Sequence, residues 1–515
     1  MNNVVKDLIE NINARYSSGY KIIQHLQKIV NLTFNIMALN RRNFMKQAAL
    51  AGLGTTAISA GSILPAAGEI QQKKPVTSAN DKIRLGFIGV GARGGSHLNN
   101  SLNIGKADVV AICDISDRSI ARAKQTLSKS NVSATKFYTG NEFAYMDMLE
   151  KEKLDAVLIA TPWEWHARMS VAAMKSGAYT GVEVPFCTTL DECWDLVNVH
   201  EETGTELMFL ENTNYARNFL AVLNMVRQGV FGELLHCHGA YMHDLRREAK
   251  FNDGKSGSYK DGTPLLFGKD AISEAQWRGL HSLRRNGDLY PTHGLGPVAV
   301  LLDINNGNRF LSLTSSASKA RGLQKFVNDH GGPNHPLKNV QWNCGDVVTS
   351  TLKCANGETV ILTHSCNNPI PYSRDFIVQG TNGIWQAEWK SIYIEGKSPV
   401  EHQYEPDSSW ITKYDHKYWR QEGDKAAGAG HGGIDYFELV EFFDAVKNKK
   451  APPINVYDGA TWGAVSALSE MSIARGNNSV DFPDFTRGQW IKFKDEKVFA
   501  LDEKYPYLPE RIVRW

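Results

Sequence analysis

Lys82-Ile-Arg-Leu-Gly-Phe-Ile-Gly-Val-Gly-Ala-Arg-Gly-Gly95 is the stretch on which the fold turns. Ile83, Leu85, Phe87 and Ile88 read as a short buried strand. The strand runs directly into Gly89-Val90-Gly91-Ala92-Arg93-Gly94, a G-x-G-x-x-G. In such a turn Gly89 permits the tight bend from strand to helix. Gly91 lets backbone approach a pyrophosphate, and Gly94 lets helix and strand pack closely. A second apolar run, Val109 to Cys113, ends in Asp114, about twenty residues after the glycines, where an acid grips the adenosine ribose. Together these predict a dinucleotide-binding α/β domain. Asp114 favours NAD over NADP because its charge repels a 2′-phosphate, although Arg118 nearby leaves the choice open.

Outward from this stretch, strand and helix patterns alternate, as in a doubly wound parallel sheet. Ser119 to Leu127 is helical. Ala156 to Ala160 is a continuous apolar run, hence a central strand, and Thr161-Pro162 stops it. Tyr179 to Val184 and Glu206 to Leu210 are the next strands. Their ends place Asp114, Thr161-Pro162, Glu183-Val184 and Asn212 around one crevice. Beyond residue 215 the pattern shifts to short strands with glycine turns, such as Leu234 to Tyr241, Asp346 to Lys353, Glu358 to His364 and Phe376 to Gln379. These predict a second α/β domain with an open, mostly antiparallel sheet. Asp435 to Val446 is an amphipathic helix whose Tyr436, Leu439, Val440, Phe443 and Val446 are core rather than site. The expected organisation is an N-terminal extension over 1–36 and an export signal over 37–70. A linker follows over 71–80, then a Rossmann domain over 81–215 and a substrate domain over 216–515.

The signal rests on Asn40-Arg41-Arg42-Asn43-Phe44-Met45-Lys46, a twin-arginine pattern, followed by an uncharged run rich in Ala, Gly and Leu up to Ala67. That run is too broken by glycine for a membrane span, so none is expected after signal removal. Export by this route moves folded proteins, which suits an enzyme that loads a nucleotide in the cytoplasm. The expected location is the periplasm or the exterior. A net charge of +2 with no basic stripe argues against nucleic acid. The seven cysteines form no C-x-x-C pair and are expected as buried or free thiols. His236 and His238 would share one face of a strand, but no third ligand is evident, and no metal is expected.

These features together resemble the Gfo/Idh/MocA family of nicotinamide-dependent sugar oxidoreductases. That family carries Glu-Lys-Pro after its fifth strand, and the lysine assists proton transfer. Here the stretch is Glu183-Val184-Pro185, so plain alcohol dehydrogenation is in doubt. Thr161-Pro-Trp-Glu-Trp-His166, Gly181-Val-Glu-Val-Pro185, Asn212-Thr-Asn-Tyr215 and Tyr290-Pro-Thr-His-Gly-Leu-Gly-Pro297 together resemble glycoside hydrolase family 109, the NAD-dependent α-N-acetylgalactosaminidases. The resemblance implies NAD contacts at Ala92, Arg93, Asp114, Trp163, Glu164, Trp165, His166, Glu183, Val184, Asn212 and Tyr290. It implies substrate contacts at Tyr241, Arg278, Tyr290, Pro291, Thr292, His293 and Tyr372.

The implied reaction oxidises the sugar C3 hydroxyl, which makes the C2 proton acidic and lets the C1 leaving group depart by elimination. Water then adds and C3 is reduced again. The hard redox step belongs to the cofactor, so no pair of acids at glycosidase spacing is required. His293 and Tyr372 are the catalytic candidates, because an imidazole titrates near neutrality and a phenol can donate to a leaving oxygen. The alternatives are a sugar or inositol dehydrogenase that releases reduced cofactor, and a sugar-binding protein without turnover. The substrate expected is a glycan with a terminal N-acetylgalactosamine. Assembly into a homo-oligomer is left open.

Overall fold

A computed structural model of the chain describes residues 82–508. The expected extension, export signal and linker lie outside the described residues. The chain begins with β1 (Ile83–Ile88), α1 (Ala92–Ile104), β2 (Ala107–Cys113), α2 (Asp117–Lys129) and β3 (Lys136–Tyr138). It continues with α3 (Ala144–Lys151), β4 (Ala156–Ile159), α4 (Trp163–Lys175), β5 (Tyr179–Glu183), α5 (Leu190–Thr203) and β6 (Leu207–Leu210). The six strands form one parallel sheet in the order β3-β2-β1-β4-β5-β6. Strand order reverses between β1 and β4, and ligands bind such sheets at that crevice. β4 and β6 are buried at every residue, as their unbroken apolar runs require under helices on both faces.

The second part contains α6 (Arg217–Arg227), β7 (Leu234–Met242), α7 (Arg278–Arg284), α8 (Thr292–Leu301), β8 (Phe310–Ala317) and α9 (Gly322–His330). Then come β9 (Val348–Cys354), β10 (Thr359–Ser365), β11 (Ile377–Gly380), β12 (Gly383–Gln386), β13 (Ser391–Ile394) and β14 (Glu405–Pro406). The chain closes with α10 (Ser408–Lys413), α11 (Lys417–Ala426), α12 (Ile434–Asn448), α13 (Val456–Ala474) and β15 (Val480–Asp481). Nine strands form a sheet in the order β14-β13-β12-β11-β7-β10-β9-β8-β15. Every pair is antiparallel except β7 with β10. α8 crosses β7 where Gly239 meets Gly294. A side chain on Gly239 would collide with the Gly294 carbonyl, and one on Gly294 would stand 2.7 Å from the Ala240 nitrogen. Two facing glycines therefore let helix backbone touch strand backbone, which sets His293 beside Tyr241.

α12 comes late in the sequence, yet it packs on the first sheet. Leu439, Phe442, Phe443 and Val446 join Leu85, Phe87, Ile112 and Leu158 in one buried cluster. The Phe442 ring meets Tyr179 edge-on at 5.7 Å and covers Gly181, where an added Cβ would lie 2.9 Å from it. Tyr436 and Val440, expected on the buried face, are only half-buried, and Phe442 takes the deeper place. The cysteine expectation needs one correction. Cys187 and Cys193 form a disulfide, because the loop after Pro185 turns back and brings their Cα atoms to 5.9 Å across the first turn of α5. The other five cysteines are buried free thiols. No helix among the described residues is long and apolar enough to cross a membrane.

Replacing Phe442 with Ala should leave a cavity between α12 and the parallel sheet. The expected loss is about 3–5 kcal/mol, read as a lower denaturant midpoint with an unchanged slope.

Candidate active site

The glycine turn has the geometry its sequence demands. Gly89 has φ +84, and a Cβ there would lie 2.5 Å from the Ala160 carbonyl of the neighbouring strand end. A Cβ on Gly94 would strike the Gly89 carbonyl, whereas Gly91 faces open space. Gly91 caps α1 without a side-chain bond, and the first turn of α1, which opens with Ala92, carries no acid. Its backbone N–H groups are left for an anion. The Asp114 carboxylate braces this turn: Val90 N–H donates to Oδ2 at 2.8 Å and Ser116 N–H to Oδ1 at 2.7 Å. The turn thus has the form that the Rossmann glycine pattern requires, with backbone N–H groups at the start of α1 and an acid at the end of β2.

Arg93 enters a buried charge cluster on the adjoining side. Its guanidinium donates to Glu183 at 2.5 Å, to Asp435 at 2.5 and 3.2 Å, and to Glu438 at 3.4 Å. His97 shares Glu183 at 2.6 Å, and Asn212 donates to Asp435 at 2.7 Å. His97, Glu183 and Glu438 are the three ligand-type groups that converge among the described residues, and the arginine occupies their midst. Burial pushes the Glu183 carboxyl up, but the charge of Arg93 and the bond from His97 outweigh it and hold it low. Asp435 is likewise held low against burial, by His431 and Arg93. Burial pushes Glu438 well up; Arg93 opposes this, while Glu183 adds to it. The Val184 N–H donates to Glu183 Oε2 at 3.0 Å, and Val184 precedes Pro185 through a cis peptide. Val184 is buried where the related fingerprint has a lysine.

The run Trp163 to His166 opens α4 and divides its tasks. His166 lies 2.7 Å from the Pro185 carbonyl and 2.8 Å from the Thr161 carbonyl, so it ties together the ends of β4 and β5. Glu164 reaches His281 at 3.5 Å. Trp165 packs on Phe143 and under Arg168, away from Trp163. Trp163 stacks on Tyr290, with centroids 5.4 Å apart, and the Arg278 guanidinium lies over both rings at 5.0 and 4.6 Å. An aromatic–arginine stack thus joins α4 of the dinucleotide part to the second part.

From Tyr290 the site continues into a cluster of rings. Tyr241 lies 4.8 Å from Tyr290 and 5.2 Å from His293, ring to ring, with Tyr372 at 6.1 Å. Pro291 caps α8 and accepts the first backbone bonds of the helix, while Thr292 is fully buried beneath. Tyr372 is half exposed at the rim. Arg278 is held by Glu274 at 2.5 Å, and its buried Nε–H has no protein partner among the described residues.

One residue here, Glu211, was not singled out from sequence. Glu211 holds His293 Nδ1 at 2.6 Å and also accepts from the Thr213 hydroxyl at 2.6 Å. Burial pushes the Glu211 carboxyl up, but the His293 ring and the hydrogen bonds from His293 and Thr213 bring it below the ordinary range. With Nδ1–H given to this carboxylate, His293 keeps the Nε2 lone pair for a substrate proton. The signal was an acid directly after the buried strand Leu207–Leu210, which read only as a strand end. His243 Nδ1 lies 3.2 Å from the Tyr241 hydroxyl, and its ring is 4.9 Å from that of Tyr372. His236 lies 2.9 Å from the Thr359 hydroxyl, and His238 lies 3.3 Å from both Thr363 and Asp375.

Residues 215–492 match the family described as glycosyl hydrolase 109, C-terminal domain. The chain belongs to glycosyl hydrolase family 109. Residues 83–210 match the oxidoreductase family with an NAD-binding Rossmann fold. A glycosyl hydrolase family 109 protein of Parabacteroides distasonis is 52% identical over 471 residues, which cover 90% of this chain and all of that one. An α-N-acetylgalactosaminidase of Tannerella forsythia is 51% identical over 472 residues, with the same coverage. In fold the chain is similar to levoglucosan dehydrogenase in complex with NADH and L-sorbose, with a TM-score of 0.57 and 18% identity, over 79% of this chain and all of that one. The protein is thus a family 109 glycoside hydrolase built on a Gfo/Idh/MocA fold, and residues 83–210 form its NAD-binding Rossmann domain.

Glu183 and Asp435 sit below their ordinary values of 4.5 and 3.8. The stability they lend is therefore full above those values and is lost as pH falls through and below them. Melting temperature followed from pH 7 to pH 3 should fall steeply on the acid side. Glu183→Gln should flatten that limb and cost about 3–5 kcal/mol at pH 7, because it leaves buried Arg93 under-compensated.

Proposed function

We propose that the protein hydrolyses terminal α-N-acetylgalactosaminides with a bound NAD that is used and restored within each turnover. The observation that carries this reading is the Glu211–His293 pair, set beside Tyr241 and Tyr290 where the dinucleotide half meets the second half, while Val184 stands in place of a proton-carrying lysine. The similarity to the Tannerella forsythia α-N-acetylgalactosaminidase supports the sugar. When bound, NAD supplies the redox chemistry, taking hydride from the sugar C3 and returning it.

The chain's own residues do the rest. Trp163, Tyr290 and Arg278 form the wall on which the sugar rests, and the free Arg278 Nε–H is a donor for a sugar oxygen. His293 Nε2 accepts the proton that leaves the sugar, and Glu211 holds the ring in the tautomer this requires. Once C3 is a ketone, the C2 proton is acidic; its transfer to His293 Nε2 expels the C1 oxygen, water then adds to the C1–C2 double bond as that proton returns to C2, and C3 regains its hydride together with a solvent proton replacing the one lost on oxidation. Tyr372 stands at the open rim, where the leaving glycan departs. Burial raises its pKa, which keeps the phenol protonated as a donor to that oxygen. Val184 supplies only apolar surface, so the lysine route of a plain dehydrogenase is absent.

We further propose that the protein is exported through its Arg41-Arg42 signal, and the Cys187–Cys193 disulfide suits an oxidising compartment.

Purified protein given a chromogenic α-N-acetylgalactosaminide, with no cofactor added, should release aglycone without net growth of nicotinamide absorbance. Steady NADH growth on free sugar plus NAD, without aglycone release, would instead mean a dehydrogenase. His293→Ala should retain NAD and lose turnover by about 10²–10⁴-fold. Glu211→Gln should lower kcat more than it changes KM; an unchanged kcat would remove Glu211 from the proton path.

A further inference from the structure

The glycine-rich stretch Ala426-Ala-Gly-Ala-Gly-His-Gly-Gly433 is not explained by the reaction just described. It links α11 to α12 and lies along α1, against Arg93, Ser96 and Asn100 of the helix whose N-terminus opens the phosphate cradle. The Asn100 side chain, on α1, donates to the Ala429 carbonyl at 2.6 Å. A Cβ on Gly430 would stand 2.8 Å from Asp435 Oδ2 and 3.6 Å from the Ser96 hydroxyl. His431 Nδ1 lies 2.9 Å from Asp435 Oδ2 and 3.2 Å from the Arg93 guanidinium. A side chain from the second half thus reaches the second residue of α1.

The backbone is equally particular. Gly428, Gly430, His431, Gly432 and Gly433 all have φ between +46 and +98. Four consecutive left-handed residues are costly for ordinary side chains, and only His431 among them is not glycine. The chain accepts that conformation and places an imidazole at its apex. The His431 side chain is 59% exposed, although Asp435 and Arg93 hold its Nδ1 edge. Packing therefore does not account for it. Its Nδ1 faces protein, which leaves Nε2 for a ligand.

We propose that Gly428–Gly433 is a strap across the diphosphate end of the dinucleotide site, with His431 as a phosphate ligand, and that it retains the cofactor through turnover. The inference rests on the recycled-NAD reading above. It gives that reading a physical means, because a dehydrogenase must release its nicotinamide each cycle and this enzyme must not. The strap lies over α1 and is tied down at Asn100, Arg93 and Asp435, so nucleotide enters or leaves only when these contacts open. The α1 N-terminus supplies backbone N–H groups from one side, and His431 supplies a side chain from the other.

Two variants test this separately. His431→Asn removes the imidazole but keeps a residue that tolerates a positive φ. Asn100→Ala releases the strap while leaving His431 intact. NAD content per chain is measured after gel filtration, and the release rate is measured by chasing bound NADH fluorescence with excess NAD. Wild type should hold its nucleotide. Both variants should release it about tenfold faster or more, and added NAD should restore their turnover. Release at the wild-type rate from both variants, with normal melting temperatures, would overturn the strap and leave the NAD reading standing. A wild type that carries no nucleotide and takes up none would overturn the NAD reading and the strap together.

Discussion

Arg93 is the charge on which the site's architecture depends. It sits at the second position of α1, yet its partners come from β5 and α12, far apart in sequence. A buried guanidinium is tolerable only when paired, and removing one partner of such a pair is costly. The same pairing pins α12 against the first sheet, beside the apolar contact of Phe442 with Tyr179. Hydrophobic burial supplies attraction between α12 and the sheet, and the ion cluster supplies register.

That register matters because α12 carries the strap and the partners of Arg93 at its N-terminal end. A further contact between the halves, Trp163 and Arg278 on Tyr290, borders the ring cluster. Between these two points runs the crevice. On one side an uncapped helix end awaits phosphates; on the other, His293 is oriented by Glu211.

The sequence made the first half legible because each device there is local. Gly89, Gly91 and Gly94 act within one turn, and the apolar runs of β1, β4 and β6 cannot be other than buried strands. The trace of the family in Trp163 to His166 and Tyr290 to His293 was likewise carried by short contiguous motifs. What escaped notice was non-local. Glu211 looked like the end of a strand until α8 laid His293 beside it. Asp435 and Glu438 sat in a helix read as core, and that reading was correct for Leu439 and Phe443, but the acids were buried with them. Cys187 and Cys193 form no C-x-x-C pair, and only the turn after Pro185 brings them together.

Sequence alone determined that this chain has a dinucleotide turn, a parallel sheet, an antiparallel second sheet and a set of candidate rings and histidines, because periodicity and glycine chemistry act over a few residues. Tertiary structure decided which of those groups face one another. The contact of Gly239 with Gly294 brings His293 to Tyr241, and the return of α12 brings Asp435 and His431 to Arg93. Such encounters depend on backbone closeness between distant segments, and that closeness is set by packing over the whole fold rather than by any stretch of sequence.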